Sequence, residues 1–258
     1  MAKYLLTLLW MVLKSSVSLR GAFLLQALFM ALNNLLFFVV WWVLFERFEQ
    51  IRGYRMPDML LLYGVSCAGF GLAVLVCGGL RELAARISDG ELDGLLTQPK
   101  SVLLRALMSR SWAAGWGDLI SGALLLAFAL PADPLRLSAT LLAVVCSASV
   151  VVASAVLFQA SAFWLGRTES AARSAFEFTL AFSLYPPTLF GPQLKVVLFT
   201  LIPAGLLAYL PCELVRDPSL VTASLVCASA LLYCAFAVGV FQRGLRHYAS
   251  GNHLTIWG

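Results

Sequence analysis

The sequence predicts an all-α integral membrane protein with six transmembrane helices, and three observations carry that expectation. Of 258 residues, 61% are hydrophobic and only 12% are charged, roughly half the charged share of a soluble domain. Apolar runs recur that are long enough to cross a hydrocarbon core of about 30 Å, which takes roughly 20 helical residues. These runs do not alternate apolar and polar residues over about 10 positions, which excludes a transmembrane β-barrel. No period of about 20 to 50 residues repeats, and no Gly-, Ser- or charge-rich linker divides the chain, so residues 1–258 are expected to form a single transmembrane domain.

The first element is an amphipathic helix over residues 3–20. Lys3, Thr7, Lys14 and Ser18 fall within about 60° of one another on a helical wheel, opposite Leu5, Leu8, Leu9 and Val12. Such a helix lies along the membrane interface. A secretory leader starting at Lys3 is the alternative for this segment. Spans follow at residues 22–45, 59–80, 112–130, 137–165, 175–190 and 220–241. The fifth is the least clean, because it contains Glu177, Pro186 and Pro187.

Orientation follows from the basic residues, which are enriched beside spans on the cytoplasmic side. With the N-terminus inside, twelve Lys and Arg fall in inner segments and six in outer ones. Residues 194–210 are nearly long enough to cross again, but a seventh pass would place the basic "FQRGLRHY" outside. The segment is therefore expected to be re-entrant from the outer face, broken at Pro203 and flanked by Gly191, Pro192 and Pro211. Both termini are then cytoplasmic, and a bacterial cytoplasmic (inner) membrane is the expected location.

This topology makes residues 81–110 the largest cytoplasmic loop. Leu83, Ala84 and Ile87 share one helical face that continues the second span. After Gly90 the apolar set moves to Leu92, Leu95 and Leu96, about 140° around from Ile87, so one straight helix cannot bury both sets. The chain is expected to break near Gly90 and to start a helix over residues 88–98. Ser88 followed by Glu91 matches a capping box. Asp89, Glu91 and Asp93 suit the positive end of its dipole, and Pro99 ends it after about three turns. Helices lying flat on a bilayer usually present Lys and Arg, whereas this one presents acids below a leucine ridge, so a protein partner with a groove is the better fit.

The net charge of +5 reports orientation and gives no reason to expect a nucleic-acid partner. Cys67, Cys77, Cys146, Cys212, Cys227 and Cys234 lie almost entirely in apolar runs without CxxC spacing, as small core residues do. His247 and His253 have no acidic partner at catalytic or metal spacing, so neither a catalytic residue nor a metal site is expected.

"GELDGLLTQPKS" resembles the Gly-x-Leu-Asp-x-Leu-Leu-x-x-Pro segment of permease subunits of ABC-2 type ATP-binding cassette transporters, in the six-span branch that includes viologen-exporter-like permeases. "FQRGLRHYASG" and the proline-rich "LYPPTLF" and "LIPAGLLAYLP" are similar to the same branch, and the similarity covers most of the chain. The resemblance implies a cytoplasmic coupling helix between spans two and three and re-entrant extracellular helices between spans five and six. It implies two permease subunits, identical or homologous, over two ATPase subunits. Carried over by position, the ATPase-coupling residues are Gly90, Glu91, Leu92, Asp93, Leu95, Leu96, Gln98 and Pro99. Gln98 departs from the family, which often has arginine there. The sequence contains no GxxxxGK[ST] loop, so ATP and Mg are expected on the partner ATPase and no cofactor on this chain.

Polar side chains in hydrocarbon are site candidates by default. Asn33 and Asn34 in span one, Glu177 in span five and Tyr185 before the double proline are the substrate-pathway candidates. Asp118 and Gln159 are expected to make interhelical hydrogen bonds. Trp41 and Trp42 suit interfacial anchors. Gly64, Ala68 and Gly71 let another helix approach span two closely. The expected function is a permease subunit exporting a lipophilic or amphipathic substrate, with membrane lipid around it. An ion-coupled secondary transporter or channel is the alternative, but only Glu177 and Asp118 could couple ions and no inverted repeat is evident. A membrane enzyme lacks paired His, acidic clusters or a nucleophile with its base.

Overall fold

A computed structural model describes residues 20–98, 100–130 and 133–248. The interfacial helix expected over 3–20 lies outside them but for Arg20, and so does Pro99. Among the described residues the chain is all-α, the one extended pairing being a bridge between Ile51 and Tyr54. The long helices are α1 (Arg20–Arg47) and α2 (Met56–Val76), followed by the short α3 (Leu83–Ser88), α4 (Asp93–Leu96) and α5 (Val102–Leu107). Next come α6 (Ala114–Ala129), α7 (Pro134–Ala160), α8 (Ala162–Leu165) and α9 (Glu169–Ser183). The chain ends with α10 (Pro192–Thr200), a π-helical turn (Gly205–Tyr209), α11 (Leu210–Arg216) and α12 (Leu220–His247).

Four helices are long and apolar enough to cross a membrane: α1, α2, α7 with α8, and α12. Helices α10 and α11 bend by 81° and would make a fifth span if taken as one. Helix α6 is apolar but only 16 residues long. Helix α9 begins at Glu169 and ends at Ser183, about seven residues before the expected 175–190 span. The prolines explain the early end. Pro186 biases Tyr185 out of helical geometry, and Pro187 starts a separate 3-10 turn. At 15 residues, or roughly 22 Å of rise, α9 is shorter than a full crossing. Tyr209 donates from its hydroxyl to the Phe182 carbonyl at 2.7 Å, so the bent α10–α11 region closes over the end of α9.

Helix α2 is the centre of the packing, held against α6 and α7, while α1 leans on α6 and α12 on α7. Its small residues decide this. A Cβ at Gly71 would meet Leu119 N at 2.6 Å and Gly115 O at 2.7 Å, and one at Gly122 would meet Ala68 N at 2.5 Å. Helices α2 and α6 therefore touch backbone to backbone along Gly64, Ala68 and Gly71. Trp41 is buried against Phe37, Phe45 and Tyr185 rather than anchored at an interface, and Trp42 is the exposed member of the pair.

Where α2 leaves the core it stops at Val76, four residues before the expected boundary, and tightens into a 3-10 turn over Gly78–Glu82. A Cβ at Gly79 would overlap Ala106 O and Ser109 Oγ, so the returning α5 segment sits directly on this turn.

Candidate functional site

Two regions collect the polar chemistry. The first is a cavity of about 410 Å³ between α1, α2 and α9, closed at its back by α6. Asn34 of α1 donates from Nδ2 to Asp118 Oδ1 of α6 at 2.8 Å. The Tyr63 hydroxyl of α2 donates to Asn34 Oδ1 at 3.1 Å and to the Asn34 carbonyl at 3.2 Å. Asn34, Tyr63 and Asp118 are all buried, so three helices are fixed to each other by one chain of hydrogen bonds. Asp118 Oδ2 has no hydrogen-bond partner. Ser66 Oγ donates to the Ser183 carbonyl at 3.2 Å and Ser183 Oγ to the Leu180 carbonyl at 2.6 Å, which ties α2 to α9 across the same cavity.

Of the four substrate-pathway candidates, Asn33 and Asn34 line this cavity. Tyr185 stands just beyond it, edge-on to Phe37 at 6.2 Å between centroids and to Trp41 at 5.8 Å. Glu177 is exposed one turn before Leu180 and is not part of the lining. Asp118 does make the interhelical hydrogen bond expected of it, and it also lines the cavity. The sequence reading did not place Tyr63, Ser66, Cys67 and Ser183 here. The signal for Asp118 was present, because an ionisable residue at membrane depth is a site candidate by default.

The second region is the loop between α2 and α6. Gly90 has φ +78°, a left-handed conformation that a residue with a Cβ adopts only at a cost, and the chain reverses there. The helix expected over 88–98 is two pieces. Ser88 is the last residue of α3 and its hydroxyl reaches the Gly166 carbonyl at 3.4 Å, so it caps nothing, and Leu92 holds the N-cap position of α4. Glu91 is drawn to Arg86 at 3.9 Å instead of back to Ser88, and Arg86 also holds Glu82 at 3.3 Å. Helix α4 is a single turn.

The leucine ridge is likewise divided. Leu92 is fully buried, Leu95 is half-buried and Leu96 is 46% exposed. Asp93 begins α4, and Gln98 is exposed behind it. Tyr248, just past α12, stands against Leu92 and Asp93; burial, then the Asp93 carboxylate, push its phenol up to about 12. Gln159 on α7 fixes the root of the loop. Its Oε1 accepts from Ala84 N at 2.8 Å and its Nε2 donates to the Leu80 carbonyl. That anchors α7 to the joint between the 3-10 turn and α3 and accounts for a buried amide.

At the opposite end of the bundle, Arg216 pairs with Asp58 at 3.0 Å and Glu213 at 2.9 Å and lies over the Tyr54 ring at 4.9 Å. Burial raises the Tyr54 phenol, with the Arg216 charge opposing it. This joins α11 to the start of α2. Among the described residues no three His, Cys, Asp or Glu side chains group as metal ligands.

A sequence model of the family described as ABC-2 family transporter protein matches residues 28–251. No curated protein and no solved structure matches the chain.

Proposed function

The chain belongs to the ABC-2 transporter family, and on that premise we propose that it is the membrane-embedded permease subunit of an ATP-driven exporter. Its partner is an ABC ATPase, whose two copies bind ATP and Mg. A second permease, identical or homologous, completes the assembly. The supporting fold is all-α with apolar helices of spanning length. Here α6 and α9 are taken as the two shorter spans that bring the count to six, and the bent α10–α11 pair as re-entrant from the outer face. Both ends of the chain are then cytoplasmic, in a bacterial inner membrane.

The observation that carries this reading is the α3–α4 turn. It stands at the loop end of α2, the most buried of the spanning helices, and it presents Leu96 and Gln98 outward while Leu92 roots it in the core. A groove on the ATPase that grips Leu95, Leu96 and Gln98 would move a lever tied to α2 through the 3-10 turn and to α7 through Gln159. Gly90, Glu91 and Asp93 shape that turn, and Pro99 is assigned to the coupling segment by the sequence resemblance alone. ATP-driven closure of the ATPase pair, passed along these contacts, would shift the helices around the cavity between α1, α2 and α9. That cavity, with Asn33 and Asn34 in its wall and Tyr185 at its rim, is the pathway of a lipophilic or amphipathic substrate, since most of its lining is apolar. Glu177 lies outside it.

The test is co-purification with the cognate ATPase. Leu96→Glu, alone or with Leu95→Glu, is expected to abolish association while the permease still inserts and elutes as a single folded species. Normal assembly of the double variant would remove the coupling role from this turn. An ion-coupled mechanism would instead show as transport by this polypeptide without any ATPase.

A further inference from the structure

We propose that α12 is the rod that carries ATPase-driven motion to the bent α10–α11 segment at the far end of the bundle, with Phe163 and Tyr248 as the positioning residues at its near end. The inference rests on the coupling reading above and adds a route beside those through α2 and α7.

At the loop end, α8 is wedged between α3 and α12 and packs on both. Phe163 is the wedge. A Cβ at Gly244 would meet Phe163 Cγ at 2.7 Å, so the ring lies directly on the α12 backbone. The same ring stands edge-on to Phe241 at 5.3 Å between centroids and to Tyr248 at 6.2 Å, and Trp164 meets His247 at 6.2 Å. From the loop side, the Ser88 hydroxyl reaches the Gly166 carbonyl at 3.4 Å, and Tyr248 stands against Leu92 and Asp93 where α4 begins. A shift of the loop therefore displaces the end of α12 unless these contacts break.

At its other end α12 joins the bent segment with little slack. Only residues 217–219 separate it from α11. Ser219 and Thr222 form a reciprocal capping box, the Thr222 hydroxyl donates to the Asp217 carbonyl at 3.0 Å, and Asp217 N donates to the Glu213 carbonyl at 2.9 Å. Hydrogen bonds thus run from α11 through the joint into α12. Helix α12 also packs on the π-helical turn over Gly205–Tyr209, a type of turn that often marks a functional site, and Tyr209 closes on the end of α9.

Of the two helices that run between these ends, α12 is the freer to move. Its 28 residues make it about 42 Å long. Only 22% of its most apolar stretch is buried, against 78% of that of α2. Lipid tails are as apolar as the side chains they surround, so a lipid-facing helix shifts without losing apolar contact, whereas α2 is locked to α6 backbone to backbone at Gly71 and Gly122.

The experiment is hydrogen–deuterium exchange on the full chain assembled with its cognate ATPase, with and without the non-hydrolysable analogue AMP-PNP. In the unaltered complex the analogue is expected to change exchange in residues 81–96 and in residues 201–212. Phe163→Ala with Tyr248→Ala should abolish the difference at 201–212 and keep that at 81–96, with the ATPase still bound. Inserting Gly-Gly-Gly between Asp217 and Pro218 should do the same from the other end, and it leaves the pairing of Arg216 on α11 with Asp58 on α2 in place. If the double alanine variant does not assemble, the insertion decides alone. Absence of a nucleotide-dependent difference at 201–212 in the unaltered complex overturns the inference. So does a difference that survives the insertion, because the motion then travels by α2. Failure of that kind, with residues 81–96 still responding, leaves the coupling role of the α3–α4 turn standing. Failure of the coupling role shows instead as normal assembly of the Leu95→Glu, Leu96→Glu protein.

Discussion

Helices α1 and α2 are almost equally apolar, yet 78% of the most apolar stretch of α2 is buried inside the protein and only 11% of that of α1. In water that would be paradoxical. In a bilayer, lipid tails are as apolar as leucine, so hydropathy reports that a helix crosses and says little about what it touches. Size and shape decide the neighbour. Helix α2 carries Gly64, Ala68 and Gly71 on one side and lets α6 approach to backbone contact. Helix α1 is studded with Leu24, Leu28, Phe29, Leu36 and Trp42, all more than half exposed. It meets the bundle chiefly through α6 and through one polar side chain, Asn34.

The largest effect should come from breaking the small-residue seam. Gly71→Val would drive a Cβ to within 2.6 Å of Leu119 N and 2.7 Å of Gly115 O. Both are backbone atoms that cannot swing away, so the cost is expected to exceed the upper end, about 3 kcal/mol, of ordinary overpacking. Gly239→Val on α12, where nothing lies within 4 Å, is the control and should leave stability unchanged. Thermal unfolding of the two purified variants in detergent checks this. If both unfold at the same temperature, size does not govern which helix is central.

The same contrast exists inside one turn of the loop between α2 and α6, at the next magnitude. Leu92→Ala removes a fully buried side chain and should destabilise by about 2–5 kcal/mol where the site cannot collapse. α4 is a single surface turn that can relax, so the lower end is expected. Leu96→Ala should change stability by less than about 0.5 kcal/mol and act only on ATPase association. A comparison of melting temperature with pull-down yield separates the two leucines. Equal loss of stability at both would mean that Leu96 is also part of the core.

Much of this architecture is legible in the sequence for identifiable reasons. Composition and run length suffice for the all-α membrane class and for the helices beginning near residues 22, 59, 137 and 220, because crossing a bilayer is a one-dimensional length requirement. The close approach at Gly64, Ala68 and Gly71 is legible because small residues recur on one face. The loop helix is misread because Ser88 and Glu91 satisfy a local capping pattern, while the Ser88 hydroxyl is instead turned toward Gly166 in the α8–α9 connection and Glu91 toward Arg86. The shift of α9 reflects weight placed on apolar content over the helix-ending effect of Pro186 and Pro187. The cavity is the least legible part. Asn34 and Asp118 are 84 residues apart, and two helices that are apolar all round carry no sequence signal for the rotation that brings those residues face to face.

That pairing supplies the smallest and sharpest test. Asn33 and Asn34 are adjacent on α1, one exposed and one buried, so composition cannot distinguish them and only helical phase does. Asn34→Leu would leave both Asp118 oxygens unmet and would remove the side-chain acceptor of Tyr63, which keeps the Asn34 carbonyl at 3.2 Å. The expected cost is about 1–3 kcal/mol, the penalty for stranding a buried polar partner. Asn33→Leu adds apolar surface at an exposed position of a membrane helix and should be neutral or slightly stabilising. Asn34→Leu with Asp118→Leu removes both partners, so it should recover part of the loss, since an apolar pair leaves nothing stranded. Melting temperatures of the four proteins decide the matter. If the double variant is no better than Asn34→Leu, the hydrogen bond between α1 and α6 is not what holds the otherwise lipid-exposed first helix in register.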